Sequence, residues 1–100
     1  MRRGGAGKKR DANEEAIVAA LERVGCSVYR LTGVGLADLL VRAPAGTLLL
    51  LEVKSRRGHL TADQERFLVY YPETQIARSV EDALRIVGVH SERKAHDANT

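Results

Sequence analysis

Apolar residues recur at helical spacing early in the chain: Ile17, Ala20, Leu21 and Val24 share one face, and Gly25 ends the pattern. Asp11 is a good N-cap with Glu14 at the reciprocal capping-box position, so a first helix is predicted to start there. Cys26 to Leu31 alternates around Val28 and Tyr29 as a strand does, and Thr32-Gly33-Val34-Gly35 reads as a turn. Two apolar runs follow, Ala37 to Val41 and Leu48 to Lys54, separated by Pro44-Ala45-Gly46. They predict a hairpin whose strands are apolar on both faces, as central strands are. Thr61 starts a second helix carried by Phe67 and Leu68 and stopped before Pro72. Thr74 to Ala77 is a short strand, and Ser79 caps a last helix with Val80, Ala83, Leu84 and Val87 on one face before Gly88. The order is α-β-β-β-α-β-α, an α/β sandwich or three-layer arrangement with a mixed sheet.

The hairpin carries the most informative polar residues. Asp38 and Glu52 lie at equal sequence distance from Ala45, so folding about that centre brings them opposite each other. Facing Cβ atoms in an antiparallel pair are about 4.5–5.5 Å apart, where like charges repel unless something positive intervenes. Lys54 follows Glu52 by two positions and shares its face of the strand. Two acids and a lysine on an apolar hairpin suit a divalent metal and a hydrolytic reaction. Magnesium is content with one or two carboxylates plus water, and the Val53 carbonyl at the same strand end is a further potential ligand. A lysine there can orient or deprotonate the attacking water and stabilise developing charge.

Composition narrows the setting. One hundred residues suffice for one small domain, and a partner copy would help bury its surface. The expected division is a basic arm at 1–10 with little to bury, a folded domain at 11–88 and a polar, frayed tail at 89–100. No apolar run is long enough to span a bilayer, and the basic start leads into no apolar segment, so a non-exported, cytoplasmic protein with no membrane association is expected. The single cysteine, Cys26, forms no internal disulfide and reads as a buried structural thiol. Net charge is +3, with Arg2, Arg3, Lys8, Lys9 and Arg10 gathered in the arm. That arm is either a solvated tail or an electrostatic contact to phosphates.

Gly35-Leu36-Ala37-Asp38-Leu39-Leu40, Leu51-Glu52-Val53-Lys54 and Gly58-His59-Leu60-Thr61 leading to Gln64 and Phe67 together resemble the PD-(D/E)xK nuclease signature. More narrowly, the stretch from 11 to 88 is similar to the virus-type replication-repair nuclease (VRR-NUC) domain in its stand-alone phage or bacterial form. The family often has proline before its metal-binding aspartate, where this chain has Ala37; that proline shapes the strand and does no chemistry. The resemblance implies a restriction-endonuclease-like core with a mixed central sheet flanked by helices. It also implies Asp38 and Glu52 as ligands for Mg2+ (with Mn2+ as substitute), Lys54 as catalytic lysine and Gln64 lining the site.

The first helix of the family tends to contribute an acidic or amide group. Helical geometry sets Glu14 on the Ile17–Leu21 face and Glu15 almost opposite, which selects Glu14 as a metal ligand. Glu14 and Gln64 also fit capping boxes, a structural role that Asp38 and Glu52 do not share. Arg56, Arg57 and His59 follow the catalytic strand and are candidates for DNA phosphate contact, as is Arg78 at the end of the fourth strand; the loop is otherwise a polar turn. Tyr70 and Tyr71 close the second helix, packed in the core or at a subunit interface, and His90 and His96 carry no signal. The resemblance implies a homodimeric, Mg2+-dependent, structure-specific DNA endonuclease in DNA repair, with four-way (Holliday) junctions as favoured substrate. The alternatives are a flap or nicking nuclease within a larger machine, a non-catalytic DNA-binding module, and a small interaction protein with no nucleic-acid role.

Overall fold

Pro44-Ala45-Gly46 does reverse the chain. Gly46 takes a positive φ of +98°, its N–H donates to the Ala43 carbonyl at 2.8 Å, and the Ala43 N–H donates to Thr47 at 2.8 Å. The strands that leave this turn are β2 (Leu39–Arg42) and β3 (Leu48–Val53), paired antiparallel from Arg42↔Leu48 to Leu39↔Leu51. This is a computed structural model, and it describes residues 12–88. The arm at 1–10, the tail at 89–100, Asp11, His90 and His96 lie outside the described residues.

The remaining elements are α1 (Glu14–Arg23), β1 (Ser27–Arg30), α2 (Ala62–Tyr70) and β4 (Gln75–Ala77), and a last helix, α3, over 80–88. The sheet order is β1-β2-β3-β4, with β1 antiparallel to β2 and β4 parallel to β3. The α-β-β-β-α-β-α order and mixed sheet are those expected from the sequence.

Strand alternation sends Leu39, Val41, Leu49, Leu51 and Val53 to one face, where they form a single core with Ile17, Val18 and Leu21 of α1 and Ala83, Ile86 and Val87 of α3. The opposite face departs from expectation. Leu40 and Leu50 are only half-buried, and Tyr29 and Leu48 keep 70% and 59% of their surface. An antiparallel sheet can face water on one side, and with α1 and α3 both on the core face that is what happens here. Cys26 is buried in the same core, and burial pushes its thiol pKa up, as befits a structural thiol.

The helix starts show where capping chemistry went. In α1 the N-cap is Asn13 and not Asp11, and no side chain caps it. The Asn13 amide instead donates to the Lys54 and Arg78 carbonyls, each at 3.2 Å, so a capping residue holds the helix to the ends of the sheet. Ser79 behaves as expected: its Oγ accepts the Asp82 N–H at 3.0 Å, while Asp82 accepts the Arg78 N–H at 3.0 Å. The Arg78 N–H, followed by the Arg85 guanidinium, holds the Asp82 carboxyl below its usual pKa.

In α2 both capping-box bonds form, Thr61 Oγ1 accepting from Gln64 and Gln64 Oε1 accepting from Thr61. This helix buries no residue fully. Phe67 stacks on Tyr71 at 4.6 Å, but Tyr70 and Tyr71 are 75% and 50% exposed, so neither is a core residue. Lacking deep packing, α2 depends on its cap. Thr61→Ala is expected to cost about 1 kcal/mol of local stability, read as faster amide exchange in Ala62–Tyr70 with β2 and β3 unchanged. Undiminished protection in α2 would show the cap to be idle.

Candidate active site

The C-terminal ends of β1, β3 and β4, the start of β2 and the start of α1 meet at one end of the sheet. The β2–β3 ladder ends at Leu39↔Leu51; one more step would set Asp38 opposite Glu52. The chain leaves that ladder at Asp38, which becomes a three-way tie. Its N–H donates to the Leu51 carbonyl at 3.1 Å, and its own carbonyl accepts the Leu31 N–H at 2.8 Å. Its carboxylate Oδ2 accepts the Val53 N–H at 2.7 Å. Val53 loses its ladder partner where β2 diverges, and a buried N–H without an acceptor is costly. Asp38 therefore has a structural function that sequence reading did not foresee.

Glu52 is equally enclosed: Asp38 is 4% exposed and Glu52 3%. Lys54 Nζ stands 3.8 Å from Glu52 Oε2, with only 11% of its side chain exposed. Two carboxylates and a lysine thus share a nearly dry strand end, as the hairpin symmetry implied. Val53 lies between them in the chain; its side chain is in the core and its N–H is bound to Asp38.

Glu14 is buried and Glu15 exposed, in agreement with helical geometry. The Glu14 carboxylate meets Arg30 Nε at 3.2 Å, so a cation at the end of β1 is paired with it. Gln64 is half-buried, and its side-chain oxygen is engaged in the α2 cap.

Arg56, Arg57 and His59 are exposed on the turn after β3, where a polyanion has access to them. Arg78 has a different position. Its Nη1 donates to the carbonyls of Ser55 (2.8 Å), Gly58 (2.7 Å) and Arg56 (3.4 Å), which shapes that turn from beneath. Sequence reasoning missed this clamp and the Asn13 bridge, because both act on backbone carbonyls far away in the chain. The one available signal was an amide residue directly ahead of the acidic helix start.

Among the described residues, no group of three or more His, Cys, Asp or Glu side chains is placed to hold a metal ion. The donors at the strand end are two carboxylates. That set is too small for zinc, which takes three or four protein ligands. It suits magnesium, which is held through one or two carboxylates and keeps its waters. Among the described residues, no helix is long and apolar enough to cross a membrane. Comparison with protein-family models, with curated proteins and with solved structures finds no match for this chain.

Proposed function

We propose that this chain is a Mg2+-dependent DNA endonuclease of the PD-(D/E)xK type, similar to a stand-alone VRR-NUC domain, that hydrolyses phosphodiester bonds. The observation that carries the reading is the pair of buried carboxylates, Asp38 and Glu52, on neighbouring strand ends with Lys54 Nζ 3.8 Å from Glu52. Mg2+ held by Asp38 and Glu52, with the Val53 carbonyl, would supply charge neutralisation and an acidified water.

The chain's own groups have distinct parts in this scheme. Asp38 is pinned through Oδ2 by the Val53 N–H, which fixes the orientation of its carboxylate. Lys54 offers a cation to the attacking water and to the charge that builds on the phosphate. Glu14 is a less direct participant, because Arg30 already neutralises it. Gln64 enters through the α2 cap, which sets the helix start beside the Gly33–Leu36 turn. Arg56, Arg57 and His59 contact the backbone flanking the cut, while Arg78 acts by holding their turn.

So small a domain has little surface to read long sequence, which favours recognition of backbone shape. Four-way junctions cut by a homodimer are the substrate proposed, in the cytoplasm of a bacterial or phage-infected cell. The test is a panel of branched and linear DNAs with Mg2+ or Mn2+, for wild type and Asp38→Asn. Junction cleavage is expected from wild type and its loss from the variant; unchanged cleavage by Asp38→Asn would remove the metal assignment. A non-catalytic DNA-binding module, with Asp38 kept for its bond to the Val53 N–H, is the second reading. Binding without cleavage across the whole panel would select it.

A further inference from the structure

One face of the sheet is open to water, yet it does not carry the polar side chains that such a face usually has. Tyr29 of β1, Leu40 of β2, and Leu48 and Leu50 of β3 lie there together, the first and third exposed and the other two half-buried. The register sets them side by side: Tyr29 is opposite Leu40, Leu40 opposite Leu50, and Leu48 opposite Arg42. A contiguous apolar patch with a polar rim marks a surface that another molecule covers.

The patch has a shape that fits a copy of itself. A hollow of about 400 Å³ on the β1 side is lined by Tyr29, Leu40, Arg42 and Leu48, among others. A second, of about 430 Å³ on the β4 side, is lined by Leu40, Leu48, Leu50 and Glu73, among others. Leu40 and Leu48 line both, so they form a ridge with a hollow on either side. Ridge and hollow interlock in an isologous contact, where the same patch serves both partners.

Charge supports the same arrangement. Arg42 stands in the hollow on the β1 side and Glu73 in the one on the β4 side, with Leu48 of β3 between them. Both are exposed, and the ion pairs among the described residues use neither. A two-fold axis that passes Leu48 and runs along β3 exchanges the two sides of the patch. It lays Arg42 of each copy over Glu73 of the other, twice in the dimer, with the Leu48 side chains meeting at the centre. Sheets packed face to face keep their strands within about 30° of each other, which leaves this pairing in reach.

We infer that the open face of the sheet is a self-association surface, and that a second copy of this chain covers it two-fold, Arg42 against the partner's Glu73. This interface deepens the homodimer of the proposed nuclease and rests on that reading only for the association itself; shape and charge choose the face. It lies on the sheet, and Tyr70 and Tyr71 of α2 are outside it. The patch is small and polar at its rim, so the dimer is reversible and the dilute protein monomeric. The two rim pairs fix the register and exclude other arrangements more than they add affinity.

The test is analytical sedimentation of the full-length protein at about 50 mM salt, where exposed charges are only partly screened. Wild type is expected to pass from monomer to dimer over about a hundredfold rise in concentration. The variants are Arg42→Glu, Glu73→Arg, the two combined, and Tyr70→Ser on α2 as a control, each checked by a thermal melt. Either single exchange sets like charges opposite each other twice and should weaken the dimer at least about tenfold. The combined exchange restores opposite charges and should return it to within about threefold of wild type, while the control stays within about twofold. Four results overturn the inference: a wild type that stays monomeric and so leaves the face to a different partner, a single exchange that associates like wild type, a combined exchange that fails to recover, or a control that breaks the dimer. Cleavage with Mg2+ is read separately. A dimer that follows the exchanges but never cuts removes the nuclease and leaves the interface standing, and cutting by a protein that stays monomeric does the reverse.

Discussion

Lys54→Ala is expected to lower Mg2+-dependent cleavage by roughly 10²–10³-fold, the usual loss when one positioned charge is removed from a transition state. DNA binding in a chelator should stay within about twofold of wild type, because the Lys54 side chain is largely enclosed while Arg56, Arg57 and His59 are exposed and unchanged. The reason is specific to this lysine. Only 11% of its side chain is exposed, and its ammonium stands 3.8 Å from a carboxylate that is itself enclosed. A charge in such a place has far more effect than one in open water.

Removing it also leaves Glu52 with less positive charge nearby, so some loss of stability accompanies the change. A thermal melt of the variant separates that loss from the chemical one. Lys54→Arg sharpens the result: a planar guanidinium keeps the charge but not the compact ammonium, and cleavage should stay well below wild type. Wild-type cleavage by Lys54→Ala would take the lysine out of the mechanism.

The fold was legible because its signals are local. Gly46 after Pro44 marked the turn, Thr61 and Ser79 marked two helix starts, and alternation marked the strands. The hairpin register followed from the same symmetry, down to Leu39 opposite Leu51. What could not be read were bonds between segments far apart in sequence. Asn13 looks like an ordinary helix cap until its amide is found on Lys54 and Arg78. Asp38 looks purely chemical until its carboxylate is found on the Val53 N–H. In each case a polar group met a backbone demand created only by the tertiary arrangement. For Asp38 this bears on the metal test: Asp38→Asn replaces one carboxylate oxygen by a donor, and the loss of cleavage must be judged alongside a melting curve.

The leucines of β3 give the largest expected effect on stability. Periodicity marked Leu48, Leu49, Leu50 and Leu51 alike as buried, whereas the structure separates them by face. Leu51 is 0% exposed in the core that it shares with residues of α1 and α3, and Leu48 is 59% exposed on the opposite side. Leu51→Ala should cost about 2–5 kcal/mol, through lost burial and the cavity left behind. That is a large share of the roughly 5–15 kcal/mol that holds a domain together. Leu48→Ala should change stability by no more than about 0.5 kcal/mol, as an exposed position does.

Denaturant unfolding of both variants measures the difference directly. The contrast also tests the open face. If a second copy of the chain covers Leu48 and Tyr29 in solution, Leu48→Ala becomes costly and its cost grows with protein concentration, because association adds to stability by mass action. Equal costs for Leu48→Ala and Leu51→Ala at every concentration would contradict the one-sided packing of the sheet.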